Sequence, residues 1–366
     1  MSVSFEITSS IQNYRVEIAN GLIRNYRPDT TDYVILCDAF FASALSLVHD
    51  KVIPIQVSES AKGLDQISSV IVSLKEVGAL RKTLLIAVGG GVIQDIATFT
   101  SSIYMRGIPW IYLPTTLLGM VDSCIGGKSA INVGSYKNLV GNFYPPGKIL
   151  IDPAAAETLG QEQLVAGLCE AAKICYARGR ESFAEYLRLY GLHDQKLLGL
   201  QAIIELSLRS KKWFIEKDEF DRQERLLLNF GHTFGHAIEG AAGYRISHGV
   251  AVGVGMLAAV YLAGLLHGGS LPDRAQQLRT HILSLLNESA GLTDVMVSLS
   301  PLELFDRFEA DKKHTDVCYT LIGLSASGDL QLLQLPKLPE SRTLINQVFG
   351  EIVTNEFWER GFSPLE

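Results

Sequence analysis

Short, unbroken apolar runs alternate with helix-spaced segments through the first part of the chain. The runs at 33–37, 52–56, 83–88 and 110–113 read as strands. Between the second and third, Leu64, Ile67, Val70, Ile71 and Leu74 recur at spacings of three and four, which predicts a helix within 63–78. Strands that are apolar at every position, not at alternate ones, are buried on both faces. With helices between them, they predict a mainly parallel sheet covered on both sides. After a further apolar run that ends at Asp152-Pro153, helical spacing takes over: 161–178, 181–190, 195–217, 226–242, 248–268 and 273–290. This places a boundary at Pro153, with an α/β domain over 1–152 and an all-helical domain over 153–366.

Composition narrows the class. Hydrophobic residues make up 47% of the 366, charged residues 19%, and the formal net charge is −7. No long basic run suggests nucleic acid. The amino terminus lacks the apolar core of a signal peptide. The most apolar stretch, 249–266, is rich in Gly and Ala and reads as a buried core helix, so no membrane partner is expected. The cysteines, Cys37, Cys124, Cys169, Cys175 and Cys318, are scattered, with no C-x-x-C pair. A reduced, cytoplasmic setting fits them.

Candidate chemistry falls in two groups. In the first domain, Gly89-Gly90-Gly91 follows a buried strand and opens a helix that carries Asp95. Such a turn lets a phosphate or dinucleotide approach the backbone at a helix N-terminus, although the G-x-G-x-x-G spacing is absent. Thr115 and Thr116 at the next strand end, with Asp122 beyond, suit hydrogen bonds to a ribose or nicotinamide. Lys128, Lys137 and Asn138 lie in a glycine-bearing, apolar-flanked stretch suited to an anion. In the second domain, Glu170 and Lys173 share a helix face. Asn229, His232 and His236 follow at spacings of three and four, Arg225 falls four before Asn229, and His248 opens the next helix. Two His and one carboxylate leave open positions on a zinc ion, as catalysis requires. A zinc protease would need Glu after the first His, where Thr233 stands. Lys211, Lys312 and Lys313 could extend a cation cluster for a polyanionic substrate; His193 and His267 receive no role.

Taken in order, the motifs Gly89-Gly-Gly-Val-Ile-Gln-Asp95, Tyr104-Met-Arg-Gly107, Pro114-Thr-Thr-Leu-Leu-Gly-Met-Val-Asp-Ser123, Gly126-Gly-Lys-Ser129, Lys137-Asn138, Glu170-Ala-Ala-Lys173, Leu228-Asn-Phe-Gly-His-Thr-Phe-Gly-His-Ala-Ile-Glu239, His248-Gly249 and Asp311-Lys-Lys313 resemble those of the sugar phosphate cyclases, most closely the 3-dehydroquinate synthases. The resemblance implies a divalent metal, Zn2+ with Co2+ as an alternative, on Glu170, His232 and His248. His236 then moves from chelation to proton transfer. It implies NAD+ held by Asp38, Glu59, Lys62, Gly89, Gly90, Gly91, Asp95, Thr115, Thr116, Asp122, Lys128, Lys137 and Thr158. Substrate phosphate and carboxylate would meet Lys128, Lys137, Asn138, Lys173, Lys211, Arg225, Asn229 and one of Lys312 or Lys313. Arg106 resembles an arginine that reaches across a homodimer interface. The implied reaction converts a phosphorylated sugar acid, 3-deoxy-D-arabino-heptulosonate 7-phosphate, to 3-dehydroquinate. It proceeds by transient oxidation, phosphate elimination, reduction and an intramolecular aldol.

Several positions depart from the family's pattern. Val250 stands where Glu usually follows His248-Gly249. Thr158-Leu-Gly-Gln-Glu162 replaces Thr-Leu-Pro-x-Arg, Tyr136 precedes Lys137-Asn138, and Val57-Ser58 precedes Glu59. These departures favour one alternative, a related cyclase acting on another sugar phosphate; a second, a metal-dependent polyol dehydrogenase of the same broad superfamily, has the cluster of phosphate-binding cations against it.

Overall fold

A computed structural model describes residues 2–134, 136–192 and 197–359; His193 and the first two residues of the helix expected over 195–217 lie outside them. The chain forms two compact units, Met1–Leu159 with Leu192–Glu219, and Gly160–Gly191 with Phe220–Glu366. The helices in chain order are α1 (Leu22–Asn25), α2 (Ala39–Ser46), α3 (Leu64–Glu76), α4 (Gly91–Ile103), α5 (Gln161–Arg178), α6 (Arg180–Gly191), α7 (Leu197–Lys217), α8 (His232–Ala241), α9 (His248–Leu266), α10 (Asp273–Leu286), α11 (Leu292–Val297), α12 (Pro301–Glu309), α13 (Pro339–Ile352) and α14 (Asn355–Glu359).

The boundary expected at Pro153 therefore falls at 159/160, and α7 belongs to the first unit. The reason is packing. Ser207 Oγ donates to the Val121 carbonyl and Lys211 Nζ to that of Asp122, which ties α7 to the first unit. Helical spacing reports what a segment is, not what it packs against.

In the first unit, β1 (Val3–Ile7), β2 (Tyr14–Ile18), β3 (Tyr33–Asp38), β4 (Val52–Ile55), β5 (Leu84–Gly89), β6 (Trp110–Pro114) and β9 (Lys148–Ile151) form one sheet. Its order is β1-β2-β9-β6-β5-β3-β4. Every pairing is parallel except β1 with β2. Ile35, Cys37, Ile86, Val88, Ile111, Leu113 and Leu150 make a core cluster, as unbroken apolar strands require. On α3, Ile67, Val70 and Leu74 are buried, while Leu64, at the helix start, is 41% exposed. A small antiparallel ribbon, β7 (Ile131–Val133) with β8 (Tyr136–Val140), lies apart from the main sheet. Since β3 runs outward to β4 and β5 runs inward to β6, the connection direction reverses between β3 and β5. The carboxyl ends of those strands, Asp38 and Gly89, flank this switch point, where open α/β sheets bind ligands.

The second unit is built around α9. Val250 through Val260 are all buried on this helix. By length and composition it resembles a membrane span, but 83% of its apolar window is inside the protein. Glycines let its neighbours come close. A Cβ on Gly255 would lie 2.0 Å from the Gly231 carbonyl oxygen, and one on Gly249 would lie 2.3 Å from that of Ala166. These contacts press α8 and α5 against α9. Gly255→Ala is accordingly expected to destabilise the unit by about 3 kcal/mol, the upper range for overpacking, read as a lower urea midpoint.

Two expectations for this unit are corrected. It is not all-helical, because β10 (Cys318–Leu324) and β11 (Leu330–Pro336) pair as an antiparallel hairpin. Nor is 226–242 one helix. A 3-10 segment, Glu224–Asn229, ends at extended Phe230, and Gly231 at φ 76° turns the chain into α8. Asn229 and Arg225 therefore do not extend the face that carries His232 and His236. No disulfide joins any of the five cysteines.

His281 of α10 is buried, with Nε2 2.9 Å from Tyr186 Oη. Burial lowers its pKa from 6.5 to about 4. The native state thus favours neutral His281. Its contribution, up to about 3 kcal/mol, is complete above the unfolded pKa and is lost as pH falls towards the folded one. His281→Gln should flatten the fall of the thermal midpoint between those two values.

Candidate active site

The glycine turn of the first unit is shaped by close neighbours. A Cβ on Gly89 would lie 2.4 Å from Ile93 Cγ1, and one on Gly90 2.7 Å from Thr116 Cγ2. Gly91 has nothing within 4 Å of such an atom, so the first turn of α4 is open to an approaching group. The Thr115 N–H donates to the Gly89 carbonyl, and the Tyr112 hydroxyl donates to the same oxygen. Strand end, glycine turn and Thr115 are thus one hydrogen-bonded edge, with Thr116 close against Gly90.

Beside it lies a charged network. Lys62, 7% exposed, reaches Asp95 Oδ2 at 2.8 Å and Asn138 Oδ1 at 3.2 Å. Glu59 Oε1 lies 3.7 Å from Lys62 Nζ and 3.8 Å from Lys137 Nζ, and accepts from Asn132 Nδ2 at 2.9 Å. Burial raises the Asp95 pKa, against the opposing pull of Lys62. Asn138, at φ 52°, is held by its N–H donating to Asn132 Oδ1. Five residues expected at the dinucleotide and substrate sites are therefore together, with Asn132 as a joint that spacing did not flag. Asp122 and Lys211 form a second pair, with Nζ 2.5 Å from Oδ1 and 2.6 Å from the carbonyl oxygen.

Other expected residues make further contacts. Asp38 caps α2, accepting from the Phe40 N–H at 2.9 Å. Exposed Thr158 donates its hydroxyl to the Ala155 carbonyl. Lys128 is exposed, 5.9 Å from the Phe143 ring centre. Arg106, also exposed, sits at φ 67° after Met105 at φ 49°. Two consecutive non-glycine residues in the left-handed region store strain of the kind found at functional loops.

In the second unit, α5, α8 and α9 converge on one carboxylate. Glu170, 1% exposed, is ion-paired with Lys173 one turn on. Its Oε1 lies 4.0 Å from His232 Nε2 and 3.7 Å from His248 Nε2. Donors about 2.1 Å from one tetrahedral ion sit about 3.4 Å apart, so only a small contraction would be needed to close around a metal. Both rings are oriented from behind: His232 Nδ1 is 3.2 Å from the Phe230 carbonyl oxygen, and His248 Nδ1 is 3.1 Å from Glu239 Oε2. An Nδ1–H donated to each of these acceptors leaves the Nε2 lone pair aimed at Glu170. Two imidazoles and a carboxylate are a catalytic-zinc donor set, and these residues fit a divalent metal.

His236 stands at the rim of the same group. Ring nitrogens of His232, His236 and His248 all lie within 4.8 Å of one another. His236 is 46% exposed, with Nδ1 3.9 Å from Asp311 Oδ2. Asp311 is paired with Lys313 at 3.1 Å, while Lys312 is exposed. Burial would raise the Asp311 carboxyl, but His236 and Lys313 outweigh it and hold the group well below the usual carboxylate range. Burial, with Lys173 nearby, drives His232 well down. Burial alone would lower His248 too, yet the Glu239 hydrogen bond and the Glu170 and Glu239 charges raise it. Arg225 is buried, and Asn229 Nδ2 donates to the Leu226 carbonyl. Glu239 and Asp311 carried no assigned role from sequence. Glu239 lies seven residues after His232, two turns along one helix face, and that spacing was the available signal.

Known proteins share this arrangement of sequence. Residues 52–166 match the family model described as 3-dehydroquinate synthase N-terminal, and 167–314 that described as 3-dehydroquinate synthase C-terminal. The 3-dehydroquinate synthase of Latilactobacillus sakei subsp. sakei (strain 23K) is 34% identical over 354 residues, 92% of this chain and 95% of that protein. That of Dictyoglomus thermophilum (strain ATCC 35947 / DSM 3960 / H-6-12) is 39% identical over 254 residues, 68% of this chain and 71% of that protein. Among solved structures, 2-epi-5-epi-valiolone synthase from Streptomyces hygroscopicus subsp. jinggangensis 5008, with NAD+ and Zn2+ bound, superposes with a TM-score of 0.77. It is 25% identical, and the match covers 93% of this chain and 96% of that one. With both family models matched in succession and a relative aligned along nearly its whole length, the chain belongs to the 3-dehydroquinate synthase family of sugar phosphate cyclases.

Proposed function

We propose that the chain is a phosphate-eliminating carbon–oxygen lyase that converts 3-deoxy-D-arabino-heptulosonate 7-phosphate to 3-dehydroquinate and phosphate. The observation that carries this reading is the Glu170–His232–His248 donor set, in a chain whose full-length relatives are 3-dehydroquinate synthases. When bound, a divalent metal would supply Lewis acidity at substrate hydroxyls, and NAD+ would take up one hydride and return it.

The chain's own residues do the rest. Glu170, His232 and His248 hold the metal, and Phe230 and Glu239 keep both imidazoles in the ligating tautomer. His236 serves proton transfer at the rim of the site, with Asp311 Oδ2 3.9 Å from its Nδ1 to orient the ring. The Gly89–Gly91 turn, Thr115 and Thr116, with Asp38, Glu59, Lys62, Asp95, Asp122, Lys137 and Thr158, form the dinucleotide surface of the first unit. Each unit by itself offers charge-assisted hydrogen bonds to substrate anions, from Lys128, Asn138 and Lys211 in the first and from Lys173, Arg225, Asn229 and Lys313 in the second. Arg106 serves a second protomer of a homodimer. Its exposed, strained loop supports that assignment. The reduced cysteines suit a cytoplasmic setting.

The test is direct. Purified protein with NAD+, Zn2+ or Co2+ and the seven-carbon sugar acid phosphate should release inorganic phosphate without accumulating NADH. Sedoheptulose 7-phosphate and glucose 6-phosphate, which lack the carboxylate, should be poor substrates. No phosphate from the sugar acid would overturn the assignment, and stoichiometric NADH would indicate a dehydrogenase instead.

A further inference from the structure

Helix α9 begins at His248, with Ser247 as its N-cap at φ −68° and ψ 153°. In a capping box, the N-cap side chain accepts an N–H of the first turn, and the third helical residue accepts the N–H of the N-cap itself. Neither half is made within α9. The Ser247 side chain makes no cap hydrogen bond, and its shielded Oγ meets no hydrogen-bond partner among the described residues. The third helical residue is Val250, buried and without an acceptor.

The Ser247 N–H is nevertheless satisfied. It donates to Glu162 Oε1, 3.2 Å away, from the first turn of α5. The carboxylate thereby serves two helix N-termini, where negative charge is favourable. Glu170 lies eight residues, or just over two turns, further along α5. One helix therefore supplies both a ligand and a cap for the helix that carries His248, with Gly249 against Ala166 holding the two in contact.

We propose that Glu162 is a positioning residue for the metal centre, supplying from α5 the cap that the third position of α9 lacks and so fixing the backbone beneath His248. Positions 162 and 250 are two of the departures noted in the sequence, and they are then one compensated change. This inference rests on His248 being a metal ligand.

The test compares Glu162→Ala, Glu162→Gln, Val250→Gln and the Glu162→Ala/Val250→Gln pair. Zn2+ affinity is read by chelator competition, the Co2+ site by its visible absorption, and amide exchange at 248–251 in metal-free protein. Glu162→Ala should weaken Zn2+ about fivefold, the worth of one such hydrogen bond, alter the Co2+ spectrum and speed exchange in the first turn. Glu162→Gln, which keeps the acceptor, should restore all three. Val250→Gln should rescue Glu162→Ala while adding little to the unsubstituted protein. Native affinity and exchange in Glu162→Ala would overturn the proposal, as would equal loss in Glu162→Ala and Glu162→Gln. If Val250→Gln fails to fold, the Ala–Gln contrast at 162 decides alone. Were His248→Ala to leave Zn2+ affinity unchanged, the ligand assignment itself would fall, a result separable from a null Glu162→Ala.

Discussion

Replacing His232 with alanine is expected to abolish metal retention and to cut phosphate release by on the order of 10,000-fold. Of the three proposed ligands, His232 is the one least able to be replaced by a neighbour. Its Nδ1 is engaged by the Phe230 carbonyl, its Nε2 faces Glu170, and it stands at the first position of α8, directly after the left-handed Gly231. Its burial and the nearby Lys173 also keep it neutral, the form that binds a metal. Alanine is well tolerated at a helix start, so the variant should keep its circular dichroism spectrum. Metal content after dialysis and phosphate release measure the effect. A variant that holds one equivalent of Zn2+ and turns over normally would remove His232 from the site. His236→Ala separates the competing three-histidine arrangement, since it should retain metal while losing rate.

The second large effect is expected at Arg225. This guanidinium is 3% exposed, in the 3-10 segment that leads to α8. A planar fork that accepts a carboxylate through two charged hydrogen bonds contributes about 3 kcal/mol or more, or roughly a hundredfold or greater in kcat/KM. Arg225→Ala should show that loss with the sugar acid phosphate and a much smaller one with carboxylate-free analogues. Arg225→Lys should recover only a small part, because an ammonium cannot reproduce the fork. Unchanged turnover of the sugar acid by Arg225→Ala would move the carboxylate contact elsewhere.

The sheet was legible because β3, β5 and β6 are apolar at nearly every position, which only burial on both faces explains. The helix of the glycine turn was legible for a similar local reason. The hairpin of β10 and β11 was not, since neither strand alternates strictly between apolar and polar positions and both follow a long helical stretch. Helical spacing also overreached at 226–242. It aligned Arg225 and Asn229 with His232, when Gly231 breaks the chain between them.

The candidate metal site divides in the same way. Residue types and motif order determined the family and the candidate ligands, because side-chain chemistry and short spacing are local properties. Which atoms meet was decided by tertiary structure. Glu170 reaches His248 because Gly249 lets α5 and α9 touch, and His232 reaches both because Gly231 and Gly255 let α8 and α9 touch. The orienting roles of Glu239 and Phe230 arise only once those helices are packed. So does the membership of α7 in the first unit. Long-range contact depends on which surfaces exclude each other's water and fit without clash, and a linear pattern records neither.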